Sequence, residues 1–305
     1  MVAQSQQAED AEYAPNLTEE QEKLSRRVET TPLPVIHEAI RKRGEDELAR
    51  SNSALAWSGL AAGLSMGFSM ICEGLFRARL PHAEWATLVS KIGYSIGFIV
   101  VILGRQQLFT ENTLTPVIPV LARRNVATAL QTARLWAVVF VTNVIGALCV
   151  AAVLGHSDVF NQPVKDAFSE IGRAAIGNTF GTTLLRGIFA GWLIALVVWL
   201  MPAVPSNRFW VILLLTWLVG VGELSHCIAG SVESLYVVTT GQAAWGEYFL
   251  HFLIPATLGN TIGGVSLVAV LNHAQVVAGQ SPSARLEHQQ EEQEDRQSGQ
   301  PDRHR

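Results

Sequence analysis

Charge is scarce in this sequence. Asp, Glu, Lys and Arg make up 16% of its 305 residues, where a soluble domain carries about a quarter. The charges that exist crowd into residues 5–50 and 283–305 and thin out from Ala54 to Asn272. That distribution excludes the pair of soluble domains the length would otherwise imply. With a net charge of −4 and no basic stripe, nucleic acid is excluded as a partner. Cysteine is rare as well. Cys72, Cys149 and Cys227 each lie in an apolar segment without metal-ligand spacing, so they read as small buried hydrophobes and neither metal nor cofactor is expected. No apolar stretch follows a short basic start, so no cleavable signal peptide is expected.

What the chain does have is long apolar runs. A membrane-spanning helix needs about 20 mainly apolar residues, and six stretches meet that need. They begin near Ala54, Ile92, Leu135, Asn178, Phe209 and Tyr248. The spacing predicts an all-α integral membrane protein with residues 54–272 as its transmembrane domain. Residues 1–33 are expected to form a polar tail, 34–53 an amphipathic helix on the cytoplasmic membrane surface, and 273–305 a disordered tail. In residues 34–53, Ile36, Ala39, Ile40 and Leu48 alternate with Arg41, Lys42 and Arg43.

Spans two and five are broken. After Leu103 the chain reads Gly104-Arg105-Gln106-Gln107-Leu108-Phe109-Thr110-Glu111-Asn112-Thr113 before apolar character resumes at Val117. The fifth span passes through Gly222-Glu223-Leu224-Ser225-His226-Cys227. Polar, Gly-rich backbone at membrane depth is tolerated only where protein packs it or a wet cavity adjoins it, and two such breaks in matching halves point to a transport site. The halves do match. Span three carries Asn143-Val144-Ile145-Gly146 and span six Asn260-Thr261-Ile262-Gly263, each followed by Ala-Val-Leu-x-His. The expected architecture is therefore two inverted three-helix repeats, as in aquaporins. Arg41, Lys42, Arg43 and Arg50 before span one, with Arg123, Arg124 and Arg134 before span three, put both termini in the cytoplasm.

These residues resemble the formate/nitrite transporter family, and one bacterial inner-membrane branch of it most. The resemblance covers about Pro34 to Asn272. It rests on Leu108-Phe109-Thr110 and Asn112, Asn143 with Gly146, Gly187-Ile188, His226-Cys227-Ile228-Ala229, and Pro255-x-Thr257-x-Gly259-Asn260-x-x-Gly263-Gly264. It implies a homopentamer in the bacterial inner membrane with a pore in each protomer for small monovalent anions, and His226 at the pore's centre. The chain departs from the better-known channels at Ser225, where Glu is usual, at Gly230 and Gly191, where Asn is usual, and at Val219, where an aromatic narrows the pore. Arg105, Glu111, Arg186 and Glu223 occupy positions those channels leave uncharged.

An ionisable group at membrane depth marks a solute or proton path more often than packing, and His226 can exchange a proton near physiological pH. Leu108 and Phe109 suit an apolar constriction. Thr110, Asn112 and Thr113 either line the loop toward the solute or cap its half-helices. Arg105 and Arg186 either attract anions or pair with Glu111, Glu223, Glu233 or Glu73; pairing is the cheaper arrangement. Lys91, Lys165 and Arg173 are candidates for an anion-collecting vestibule. Asn143 and Asn260 are expected to satisfy backbone groups freed by the breaks.

Three other classes compete with a proton-linked anion channel. An enzyme would need a nucleophile, base and orienting group at recognisable spacing, and none is present. A neutral-solute facilitator of the aquaporin type would carry paired Asn-Pro-Ala motifs, which are absent. A scaffold would need no central histidine.

Overall fold

The computed structural model describes residues 31–279, and among them every regular element is helical. The expected tails fall mostly outside the described residues. Helix α1 (Leu33–Ala49) occupies the segment expected to be amphipathic. It is followed by α2 (Asn52–Arg77), α3 (Glu84–Leu103), the short α4 (Val117–Arg123) and α5 (Val126–His156). Then come α6 (Gln162–Ile176), α7 (Phe180–Leu200), α8 (Arg208–Val221) and α9 (Ala229–Thr239). The last helix, α10, crosses Trp245–Val276 with π-helical stretches at Tyr248–Leu253 and Gly263–Val270. Helices α2, α3, α5, α7 and α10 are long and apolar enough to cross a membrane; α8 is apolar but shorter.

Side-chain caps set several helix starts. Ser51, Asn125, Asn161 and Thr179 each accept the backbone N–H three residues on, satisfying a donor that the first turn leaves open. The helices then approach one another closely at small residues, as expected where lipid removes the hydrophobic drive between helices. Helix α2 packs on α3 and α5, and α7 packs on α10. Two matching close approaches are at Gly63 against the Asn143 backbone and at Gly191 against the Asn260 backbone. A Cβ at either glycine would collide with the facing carbonyl oxygen.

Several features depart from the sequence expectation: of the three cysteines expected to be buried, Cys227 is buried, Cys72 is half-buried and Cys149, on α5, is exposed. Span two starts at Glu84 rather than near Ile92, so Lys91 lies inside a helix, where its ammonium meets Glu73 at 2.7 Å. Helix α6 was not anticipated. Its buried face, Val164, Ala167, Phe168, Ile171 and Gly172, is a narrow stripe in an otherwise polar segment too short to span.

Candidate functional site

The two broken segments are held open in the same way. Helix α3 ends at Gly104 and α8 at Gly222, and the next residues, Arg105 and Glu223, take left-handed φ values of 52° and 49°. Such values are uncommon outside glycine, and their recurrence marks two turns of one kind. Beyond each turn, an asparagine from another helix satisfies the freed backbone. Asn143 Oδ1 accepts the Phe109 N–H (2.9 Å), and its Nδ2 donates to the carbonyls of Gln107 (2.9 Å) and Gly59 (2.7 Å). Asn260 Oδ1 accepts the Cys227 N–H (2.8 Å), and its Nδ2 donates to the carbonyls of Ser225 (2.8 Å) and Gly187 (2.8 Å). Gly146 and Gly263, three residues after each asparagine, lie against the backbones of α2 and α7 respectively. The same bracket thus presents Leu108 in one break and His226 in the other.

His226 is 1% exposed. Its Nδ1 accepts the backbone N–H of Ala229 at 3.1 Å, so in the neutral ring the proton sits on Nε2. Nε2–H then donates to Thr110 Oγ1 at 2.7 Å, a bond that joins the two breaks. The Phe98 ring meets the imidazole edge-on, with centroids 4.8 Å apart. Nothing local in the sequence marks Phe98; it is found only because α3 packs beside the second break.

A cavity of about 60 Å³ ends on His226. Val219, Ser225, Arg186 and Glu223 line it, as do Lys91, Arg77 and Glu233. Arg186 pairs with Glu223 at 3.3 Å, as the pairing expectation has it. The other expected site residues lie elsewhere. Leu108 and Phe109 are buried and do not line the cavity, and Phe109 packs edge-on against Phe140 and Trp136. Asn112 donates to Gln107 Oε1 (2.9 Å), and Thr113 donates to the Thr110 carbonyl (2.7 Å), so both brace the loop. Arg105 does not line the cavity and reaches no acid among the described residues; it is exposed on its turn. Glu111 pairs instead with Arg43 of α1 at 3.1 Å. Lys165 and Arg173 are engaged on the surface, by Asp158 (3.2 Å) and Gln242 (2.9 Å). Among the described residues no group of His, Cys, Asp and Glu could hold a metal.

Known proteins resemble the chain in sequence and fold. The family model for formate/nitrite transporters matches residues 34–274. The inner membrane protein YfdC of Escherichia coli is 42% identical over 241 residues, covering 79% of this chain and 78% of that protein. The formate channel FocA of Haemophilus influenzae is 26% identical over 240 residues, covering 70% and 83%. Among solved structures, a pentameric formate channel with formate bound superposes with a TM-score of 0.63 at 19% identity, over 74% of this chain and 98% of that one. An FNT family ion channel gives 0.68 at 18%, over 77% and 96%. A match across this much of the sequence, with the same fold beneath it, decides the assignment: the chain belongs to the formate/nitrite transporter family.

Proposed function

We propose that this protein passes small monovalent anions of the formate or nitrite kind across the bacterial inner membrane, with a proton, through a pore centred on His226. The observation that carries this reading is the hydrogen bond from His226 Nε2–H to Thr110 Oγ1 at the floor of a charged cavity. The donor on the ring serves an oxygen of the passing solute as it serves Thr110. An anion cannot cross the apolar, fully buried layer of Leu108 and Phe98 cheaply. The same solute as its neutral acid can. The cations of the cavity gather the anion, a proton from vestibule water joins it, and His226 keeps one oxygen hydrogen-bonded while it passes.

The architecture that goes with this reading is six crossings in two inverted repeats, within residues 54–272: α2, α3 with α4, α5, then α7, α8 with α9, α10. It is supported by the matched glycine turns and asparagine brackets. Residues 34–53 then lie on the cytoplasmic surface, both termini are cytoplasmic, and the protomers assemble as pentamers. The test is flux into proteoliposomes of formate, nitrite and acetate against a neutral polyol, across a pH step. Anion uptake that rises at acid pH and is lost in His226→Phe supports the reading. Polyol uptake without anion uptake, or full anion flux in the variant, overturns it.

A further inference from the structure

A second cavity lies on the outside of the bundle. It is a groove of about 320 Å³ between α2 and α5, bordered by the loop that follows α5. Leu64, Phe68 and Ile71 of α2 line it with Cys149 and Val153 of α5 and Phe160 of the loop. None of its lining residues carries a charge, a hydroxyl or an amide. Phe68 is 48% exposed and Val153 58%, so the groove opens to the surroundings of the bundle.

The groove has a direction. Leu64 stands at the midpoint of α2, and Phe68, Ile71 and Leu75 follow it along one face toward the helix end. Arg79, just past that end, turns back, and its Nη1 donates to the Leu75 carbonyl at 3.2 Å. This arginine is exposed and meets no acid among the described residues. From Leu64 to Leu75 a helix rises about 16 Å, close to the depth of one leaflet in a hydrocarbon core about 30 Å thick. With α2 spanning the bilayer, the groove therefore reaches the midplane and the guanidinium lies at headgroup level.

We propose that this groove binds the acyl chain of an anionic phospholipid whose phosphate is held by Arg79. The site needs only that α2 and α5 cross the membrane, and it is independent of what the pore carries. The apolar lining fits a hydrocarbon tail and offers a headgroup nothing, so the tail fills the groove and the phosphate meets the cation at its end. A guanidinium fork matches phosphate oxygens. A neighbouring protomer is the competing cover. It accounts for the groove but not for the unpaired cation, whereas the lipid accounts for both.

The full chain is purified in detergent and incubated with equal amounts of phosphatidylglycerol and phosphatidylcholine of identical acyl chains. Native mass spectrometry then counts the lipids retained per protomer. One cation at headgroup level corresponds to about fivefold in affinity for an anionic lipid. The wild type is therefore expected to retain phosphatidylglycerol over phosphatidylcholine by roughly that factor, at up to one lipid per protomer. Arg79→Gln brings the ratio toward parity, and Val153→Phe, which fills the groove, lowers retention of both lipids. Both positions are exposed, so neither change disturbs the interior. Equal retention of the two lipids by the wild type overturns the proposal. So does a preference that survives Arg79→Gln, or retention that Val153→Phe leaves untouched. A Val153→Phe chain whose assembly separates into smaller units marks the groove as an interface between copies and overturns it too.

Discussion

At the scale of single residues, the two asparagines are worth more than their position suggests. Each satisfies one N–H and two carbonyls that helix geometry cannot, and each is fully buried. Asn260→Leu leaves Cys227 N–H and the carbonyls of Ser225 and Gly187 without partners, at about 1–3 kcal/mol for each buried group. The expected outcome is a large fall in Tm of the detergent-solubilised protein, or no folded protein, and the same for Asn143→Leu. Thr110 is a subtler case. Thr110→Val removes the acceptor for His226 Nε2–H while keeping the shape, so flux should fall by roughly the several-fold that one neutral hydrogen bond represents; Thr110→Ser should retain it. The asparagines were legible from their repeated Asn-x-Ile-Gly setting. Their bonding partners were not, because those partners are backbone groups on other helices. The paired arginines were only half legible. Arg186 sits where α7 brings it to Glu223, whereas Arg105 lies on a left-handed turn that carries its side chain outward.

At the scale of elements, α1 is fastened to the first broken segment. Arg43 donates to Glu47 Oε1 (3.0 Å) and to Glu111 Oε2 (3.1 Å), and Thr115 Oγ1 donates to the other oxygen of Glu47. Glu111 follows Thr110 directly, so the strap ends one residue from the imidazole's partner. Removing the cation alone strands two buried carboxylates. Arg43→Met should therefore cost about 3 kcal/mol, the lower part of the range for a broken buried pair because the guanidinium is partly exposed. The Arg43→Met, Glu111→Met double variant should recover much of the loss in thermal unfolding. A second tie is pH-dependent. His37 hydrogen-bonds His273 at 2.9 Å near Trp199, with Glu38 and Arg41 beside it on α1. Burial, and then His273, lower its pKa from 6.5 to about 4. Between those values the undocked helix binds the proton and the docked one does not. Docking therefore weakens as pH falls from 6.5 toward 4. Hydrogen exchange of α1 amides should quicken over that window, and His37→Phe should flatten the response. Helix α1 was visible in the sequence as an amphipathic stretch. Its attachment was not, since Arg43 and Glu111 are far apart in the chain and the charges at membrane depth offered Arg105 as a nearer partner.

At the scale of the whole molecule, the polarity is inverted relative to a soluble protein. Thr110, Asn112, Asn143, Thr183, Thr216, Ser231 and Ser234 are buried, while Trp57, Trp210, Leu214 and Leu250 are more than half exposed. An apolar exterior of this kind requires lipid or neighbouring protomers to cover it. Composition alone made that much readable, because it depends on sums along the chain. The route through the molecule depends on which side chains meet, and the sequence does not carry that. The imidazole, its threonine and the charged cavity all belong to one chain, so the proposed pore lies within a single protomer. Pentamers reconstituted from mixtures of wild-type and His226→Phe subunits test this directly. With one pore per protomer, flux should fall in simple proportion to the wild-type fraction. A pore shared along the fivefold axis would instead lose flux steeply, because one inactive subunit would compromise all five. Proportional loss, measured on assemblies whose mass is first shown to be five times that of the chain, would place conduction inside the protomer and leave the shared axis to lipid or packing.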